Sequence, residues 1–121
     1  MLEDAAIIDP VAMARLDRLG GTKFVLKMID LFSTDAPVRL AAAQSAEQAG
    51  NWKGVGEAAH SLKSSAGNFG AHTLGAIAAK LEECAVEGRN EAIPALMRQL
   101  ETALPAALQL LQLKREALLA P

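Results

Sequence analysis

Apolar residues recur along this chain at intervals of three and four, the spacing that lines one face of a helix. Trp52, Val55, Ala59, Leu62, Ala66 and Phe69 form the clearest stripe. Leu74, Ile77, Leu81 and Cys84 make a second, and Ile93, Leu96, Leu100, Leu104, Ala107 and Leu111 a third. Upstream, Phe24, Leu26, Ile29 and Leu31/Phe32 mark a helix whose pattern resumes after Pro37 through Val38 and Leu40 towards Gly50. Punctuation residues separate these segments. Asp9 followed by Pro10 has the form of an N-cap and first helical position, opening a short helix that stops at Gly20-Gly21. Thr22 is placed to cap the next helix. Asn51 caps the one that runs from Trp52 to about Asn68. Gly67-Asn68-Phe69-Gly70 has turn composition, and the following helix extends from about Ala71 to Glu87, where Gly88 ends it. Asn90 is expected to cap the last helix and Pro105 to bend it. Pro37 permits either a kinked long helix or two helices with a break, and the resumed pattern favours the kink. Long amphipathic helices joined by short connections predict an all-α, antiparallel up-and-down four-helix bundle with an additional short N-terminal helix.

Composition strengthens the helical reading. Alanine supplies 25 residues and leucine 18, whereas Val, Ile and Thr together number 14. The first two are strong helix formers, and strands favour the β-branched types. A length of 121 residues suits a single domain over 1–121 that buries a core without staples. Charge then narrows the partners. Twelve basic and fourteen acidic residues leave a net charge of −2, which gives no footprint for nucleic acid or an anionic membrane. The acidic start, MLEDAAIIDP, is unlike a signal peptide, and no stretch approaches the roughly 20 apolar residues of a membrane span. With one cysteine, Cys84, an internal disulfide is excluded, and a cytoplasmic protein is expected. Nothing in the pattern demands a dimer, so a monomer is expected.

The helix that begins at Trp52 carries the candidate chemistry. At about 100° per residue, His60 lies about 200° from Leu62 and points away from the apolar stripe. Its helical neighbours are Gly56, Glu57, Lys63, Ser64 and Gly67. Two glycines there each cost about 1 kcal/mol relative to alanine. Small side chains at Gly56, Ser64 and Gly67 leave the imidazole open to close approach by another molecule. Neutral imidazole is a nucleophile at cytoplasmic pH. Lys63, one turn away, can hold an anionic oxygen by a charge-assisted bond worth roughly 1.5–3 kcal/mol. By periodicity alone, a solvated surface histidine accounts for the same facts, and the glycines equally serve close packing of the helix that starts at Asp9.

The string AAHSLKSSAGNFGA, residues 58–71, resembles the signature of the histidine-containing phosphotransfer (HPt) domain. That pattern has His, an apolar residue two on, Lys three on, small residues next, and Gly-Ala about ten on. Here these are His60, Leu62, Lys63, Ser64-Ser65-Ala66 and Gly70-Ala71. The likeness extends over most of the chain, with a short first helix, a long helix holding an internal Pro, and a hairpin that carries the His. It implies that His60 is the phospho-acceptor and Lys63 supports the phosphoryl group. It also implies a phosphorelay in which His60 takes phosphoryl from a receiver aspartate and passes it to another receiver. Response-regulator receiver domains and a hybrid histidine kinase are the implied partners. No cofactor of its own is implied, Mg²⁺ being carried by the receiver. Ser64 stands where the family often has Gly. Many members place a Gln on the next helix near the His. Reflection through the turn at residues 68–70 reaches Ala79 to Glu82, where Lys80 and Glu82 are the polar residues, and Glu82 would repel phosphate. Gly56, Ser64, Gly67 and Leu16, with Met13 and Leu19, are expected to form the docking surface.

Other chemistries fit less well. His60, His72 and Cys84 are spaced by twelve and match no tight zinc pattern. Ser64-Ser65 lacks a nucleophile-elbow context. No Gly-rich nucleotide loop appears, so the chain is expected to be a phosphocarrier and not a kinase. The competing function is a helical interaction module that docks a receiver-like partner and carries no phosphate.

Overall fold

A computed structural model describes residues 4–121, and none of the described residues is in a strand. The elements are α1 (Asp4–Ile7), α2 (Pro10–Gln48), α3 (Trp52–Asn68), α4 (His72–Glu87), a 3-10 turn (Asn90–Ala92) and α5 (Ile93–Leu119). Local signals explain most boundaries. Asp9 Oδ1 accepts the Val11 N–H at 2.9 Å and so caps α2, with Pro10 as its first residue. Asn51 Oδ1 accepts the Gly54 N–H at 3.0 Å and caps α3. Gly88 closes α4 in the left-handed conformation.

α2 is longer than the expected short helix because its two halves join end to end. The junction is Gly21, whose φ of 74° and ψ of −173° are non-helical. A residue with a Cβ adopts that φ at a steric cost, so the paired glycines mark the break between residues 10–20 and 22–48. Pro37 lies on the exposed side, and the helix continues through it as the resumed pattern predicts. α5 likewise continues through Pro105. Two elements differ from expectation. The single turn α1 precedes Asp9, and Asn90 does not cap α5. The chain enters α5 through the 3-10 turn instead, and the Asn90 Oδ1 is buried without a hydrogen-bond partner.

The four long helices pack as sequential neighbours, α2 on α3, α3 on α4 and α4 on α5, and α5 returns to α2 to close the bundle. Three-residue connections between α2 and α3 and between α3 and α4 make those neighbours antiparallel. Val55, Ala59, Leu62, Ala66 and Phe69 are buried, as are Leu74, Leu81, Cys84, Leu100, Leu104 and Leu111. Val25, Ile29 and Phe32 supply the inward face of α2, whereas Leu31 is exposed.

The α3–α4 turn is tied to the start of α2. Asp9 N–H donates to the Phe69 carbonyl at 3.1 Å, and a ring nitrogen of His72, Nε2, lies 3.0 Å from Asp9 Oδ2. Gly70 has φ of 59°, and a Cβ there would sit 2.5 Å from the Asp9 Cβ and 3.0 Å from the Ala12 Cβ. Both atoms are fixed to backbone and cannot swing aside. Gly70→Ala is therefore expected to lose at least about 1–3 kcal/mol from the left-handed backbone alone. Urea denaturation would read this as a lower midpoint at unchanged slope.

Candidate functional site

α3 and α4 form a hairpin, and its geometry decides what faces His60. His60 and Glu82 are equidistant along the chain from Ala71, the last residue before α4, so they meet across the helix pair. His60 Nδ1 lies 2.7 Å from Glu82 Oε2. Lys63 Nζ donates to the other carboxylate oxygen, Oε1, at 2.6 Å. One carboxylate thus links the imidazole and the ammonium on a single face.

The hydrogen positions follow from the acceptor. An ionised carboxylate only accepts, so Nδ1 carries the hydrogen and, in the neutral ring, Nε2 keeps the lone pair. The His60 side chain is 60% exposed and that of Glu82 only 23%. The ring therefore reaches into solvent from an anchor that is mostly covered. Lys63 is the main reason that the Glu82 carboxyl titrates below its ordinary 4.5. Partial burial pushes the other way, and the His60 bond adds to the lowering. Because the folded value is depressed, this carboxylate stabilises the fold above pH 4.5 and stops doing so as pH falls through the folded value. The melting temperature of wild type relative to Glu82→Gln is accordingly expected to fall as melts are taken from about pH 6 to about pH 3.

The other expected residues divide. Ser64 and Gly67 are exposed, and nothing lies within 4 Å of where a Gly67 Cβ would be. Gly56 is buried, and a Cβ there would meet the Ala85 Cβ at 3.3 Å. Its lack of a side chain lets α3 approach α4, so Gly56 offers no surface to a partner. Leu16 is also buried, on the inward face of α2, which removes it from the docking set. Met13 is half-buried and Leu19 exposed. Lys80, the other polar residue reached by reflection, pairs with Glu83 at 3.7 Å. Cys84 is buried in the core and His72 is engaged with Asp9, so the imagined His60–His72–Cys84 metal set is not assembled. Among the described residues, no cluster of three His, Cys, Asp or Glu could hold a metal ion, and no helix is long and apolar enough to cross a membrane.

The His60–Lys63–Glu82 face lies inside the region matched by the Hpt domain family model, residues 27–117. The chain belongs to the HPt family. The crystal structure of histidine-containing phosphotransfer protein B (HptB) from Pseudomonas aeruginosa PAO1 superposes with a TM-score of 0.87. It is 29% identical, and the match covers 92% of this chain and 96% of that one. No curated protein sequence matches the chain. An HPt domain acts in histidine phosphotransfer within a phosphorelay, as a carrier that works with receiver domains and histidine kinases. Glu82 is the residue whose part sequence reasoning left as a source of repulsion. Its position one hairpin register from His60 was the available signal.

Proposed function

We propose that His60 of this HPt domain accepts a phosphoryl group from the phospho-aspartate of one response-regulator receiver and passes it to the aspartate of another. The observation that carries this reading is the state of the imidazole, exposed on a helix face, anchored through Nδ1 and open at Nε2. Lys63 has three donors and spends one on Glu82, leaving two for phosphoryl oxygens. The protein needs no cofactor of its own, because the receiver's bound Mg²⁺ supplies the charge at the aspartyl phosphate. A hybrid histidine kinase is the proposed origin of the phosphoryl group.

The test is to incubate the protein with purified receivers carrying labelled phosphoryl. Label should move to this chain from at least one receiver and return to a second. Binding of a receiver with no transfer would make the chain a docking module and overturn the carrier reading.

Docking is proposed to bring the receiver over Ser64 and Gly67, where the surface is open. Ser64→Trp places a bulky ring on that approach. It is expected to slow transfer by roughly tenfold or more, equivalent to about 1.4 kcal/mol, with helical content unchanged. Stopped-time transfer assays alongside circular dichroism would check both halves.

A further inference from the structure

We propose that His72 is a positioning residue for receiver docking. By clasping Asp9 it fixes the first segment of α2, residues 10–20, so that Val11, Arg15, Arg18 and Leu19 meet the anionic face of the receiver. This role rests on the carrier reading, which brings a receiver onto the His60 helix.

Asp9 joins three elements at this end of the molecule. Its N–H donates to the Phe69 carbonyl at 3.1 Å, its Oδ1 accepts the Val11 N–H at 2.9 Å, and its Oδ2 lies 3.0 Å from His72 Nε2. The His72 bond is the main reason that the Asp9 carboxyl titrates below its ordinary 3.8, and the Val11 N–H adds to the lowering. An ionised carboxylate only accepts, so Nε2 donates. The start of α2 is thereby tied to the α3–α4 turn and to the first residue of α4. Helix continuity does not orient the segment from its other end, because Gly21 breaks the helical backbone between residues 10–20 and 22–48. Ala12 and Leu16 press the segment onto the core, but apolar contact is non-directional. The hydrogen bonds at Asp9 have direction, and they set how the outer face of the segment is presented.

That outer face has the chemistry of a contact surface. Val11, Arg15 and Arg18 follow one another at helical spacing, with Leu19 at their end. Val11 is 69% and Leu19 71% exposed, and both arginines are exposed. Among the described residues, neither arginine takes part in an ion pair. A receiver presents an aspartyl phosphate and the carboxylates that hold its Mg²⁺, a face of net negative charge. The reach is sufficient. Gly70, which packs against Asp9, follows His60 by ten residues, about 15 Å at the helical rise. An interface of about 800 Å² per partner extends about as far from its centre. A receiver over His60, Ser64 and Gly67 therefore arrives at the start of this segment.

The experiment measures transfer from a labelled receiver at varied receiver concentration, in His72→Ala, His72→Gln and the double variant Arg15→Ala/Arg18→Ala. His72→Ala leaves both backbone bonds of Asp9 in place. Its KM should rise roughly three- to fivefold, the size of an exposed charged pair, with the saturating rate constant unchanged. Glutamine carries an N–H donor, so His72→Gln should restore most of the affinity. The arginine double variant should raise KM at low salt and lose most of its salt dependence. In that background, His72→Ala should raise KM by clearly less than it does alone, because the clasp acts through the segment that bears the arginines. A wild-type KM in His72→Ala would overturn the proposal, even with a lowered melting temperature, since the clasp would then serve the fold alone. Full additivity in the triple variant would overturn it too. A receiver that binds wild type without transfer would count against the carrier reading alone, and its Kd across the same variants would still test the clasp. No binding of any receiver to wild type would overturn both.

Discussion

His60→Gln is expected to lower phosphoryl acceptance from a labelled receiver by at least about a thousandfold while leaving the bundle folded. The amide of glutamine is not a nucleophile, so the substitution removes the bond-forming atom itself, and an effect of that size corresponds to about 4 kcal/mol at the transition state. The fold should barely respond. His60 is exposed and outside the core, and surface substitutions of this kind usually change stability by about 0.5 kcal/mol or less. Glutamine can also donate to Glu82, which keeps its bond from Lys63. Transfer assays and thermal melts on the same preparations would show the separation. Undiminished transfer in the variant would direct attention to His72, whose side chain is 65% exposed beside Asp9.

The largest loss of stability is expected just past the C-terminal end of α3. Phe69 is buried at the α3–α4 turn, and its ring meets Phe32 of α2 edge-on, with centroids 5.3 Å apart and planes at 60°. Phe69→Ala removes the ring from a packed site and leaves a cavity, for about 3–5 kcal/mol. The edge-to-face pair contributes roughly 0.5–1.5 kcal/mol beyond its buried area. Against a total stability of about 5–15 kcal/mol, such a loss places much of the protein near its unfolding midpoint under mild denaturant. The backbone bonds of the turn, including Asp9 N–H to the Phe69 carbonyl, do not depend on the ring. Equilibrium denaturation should therefore show a lower midpoint with unchanged slope. A loss below about 1 kcal/mol would mean that the site collapses around the smaller side chain.

These two residues lie nine positions apart, His60 within α3 and Phe69 just past its end, and the difference between them was legible in the chain. Phe69 continues the stripe of Trp52, Val55, Ala59, Leu62 and Ala66, whereas His60 falls off it. Asp9, Asn51, Gly21 and Gly88 likewise act where their types predict, because capping and left-handed turns depend on bonds within a few residues. Asn90 shows the limit of that logic, since a good capping residue can be overruled by a 3-10 entry into the helix. Gly56 shows another. Periodicity placed it beside His60, but its proximity to Ala85 depends on how closely α4 packs.

The order of the residues by itself determined the helices, their inward faces, and an outward histidine with Lys63 one turn away. Helical periodicity is a property of one segment and reports the direction of each side chain about its own axis. It does not report what another segment places in that direction. Only the tertiary structure decided that Gly56 and Leu16 are covered and that Ser64 and Gly67 stay open. It also turned Glu82 from an expected source of repulsion into the bridge between His60 and Lys63. That outcome depends on a hairpin register set by three residues between α3 and α4, and a shift of one residue in that register would turn Glu82 about 100° away from His60.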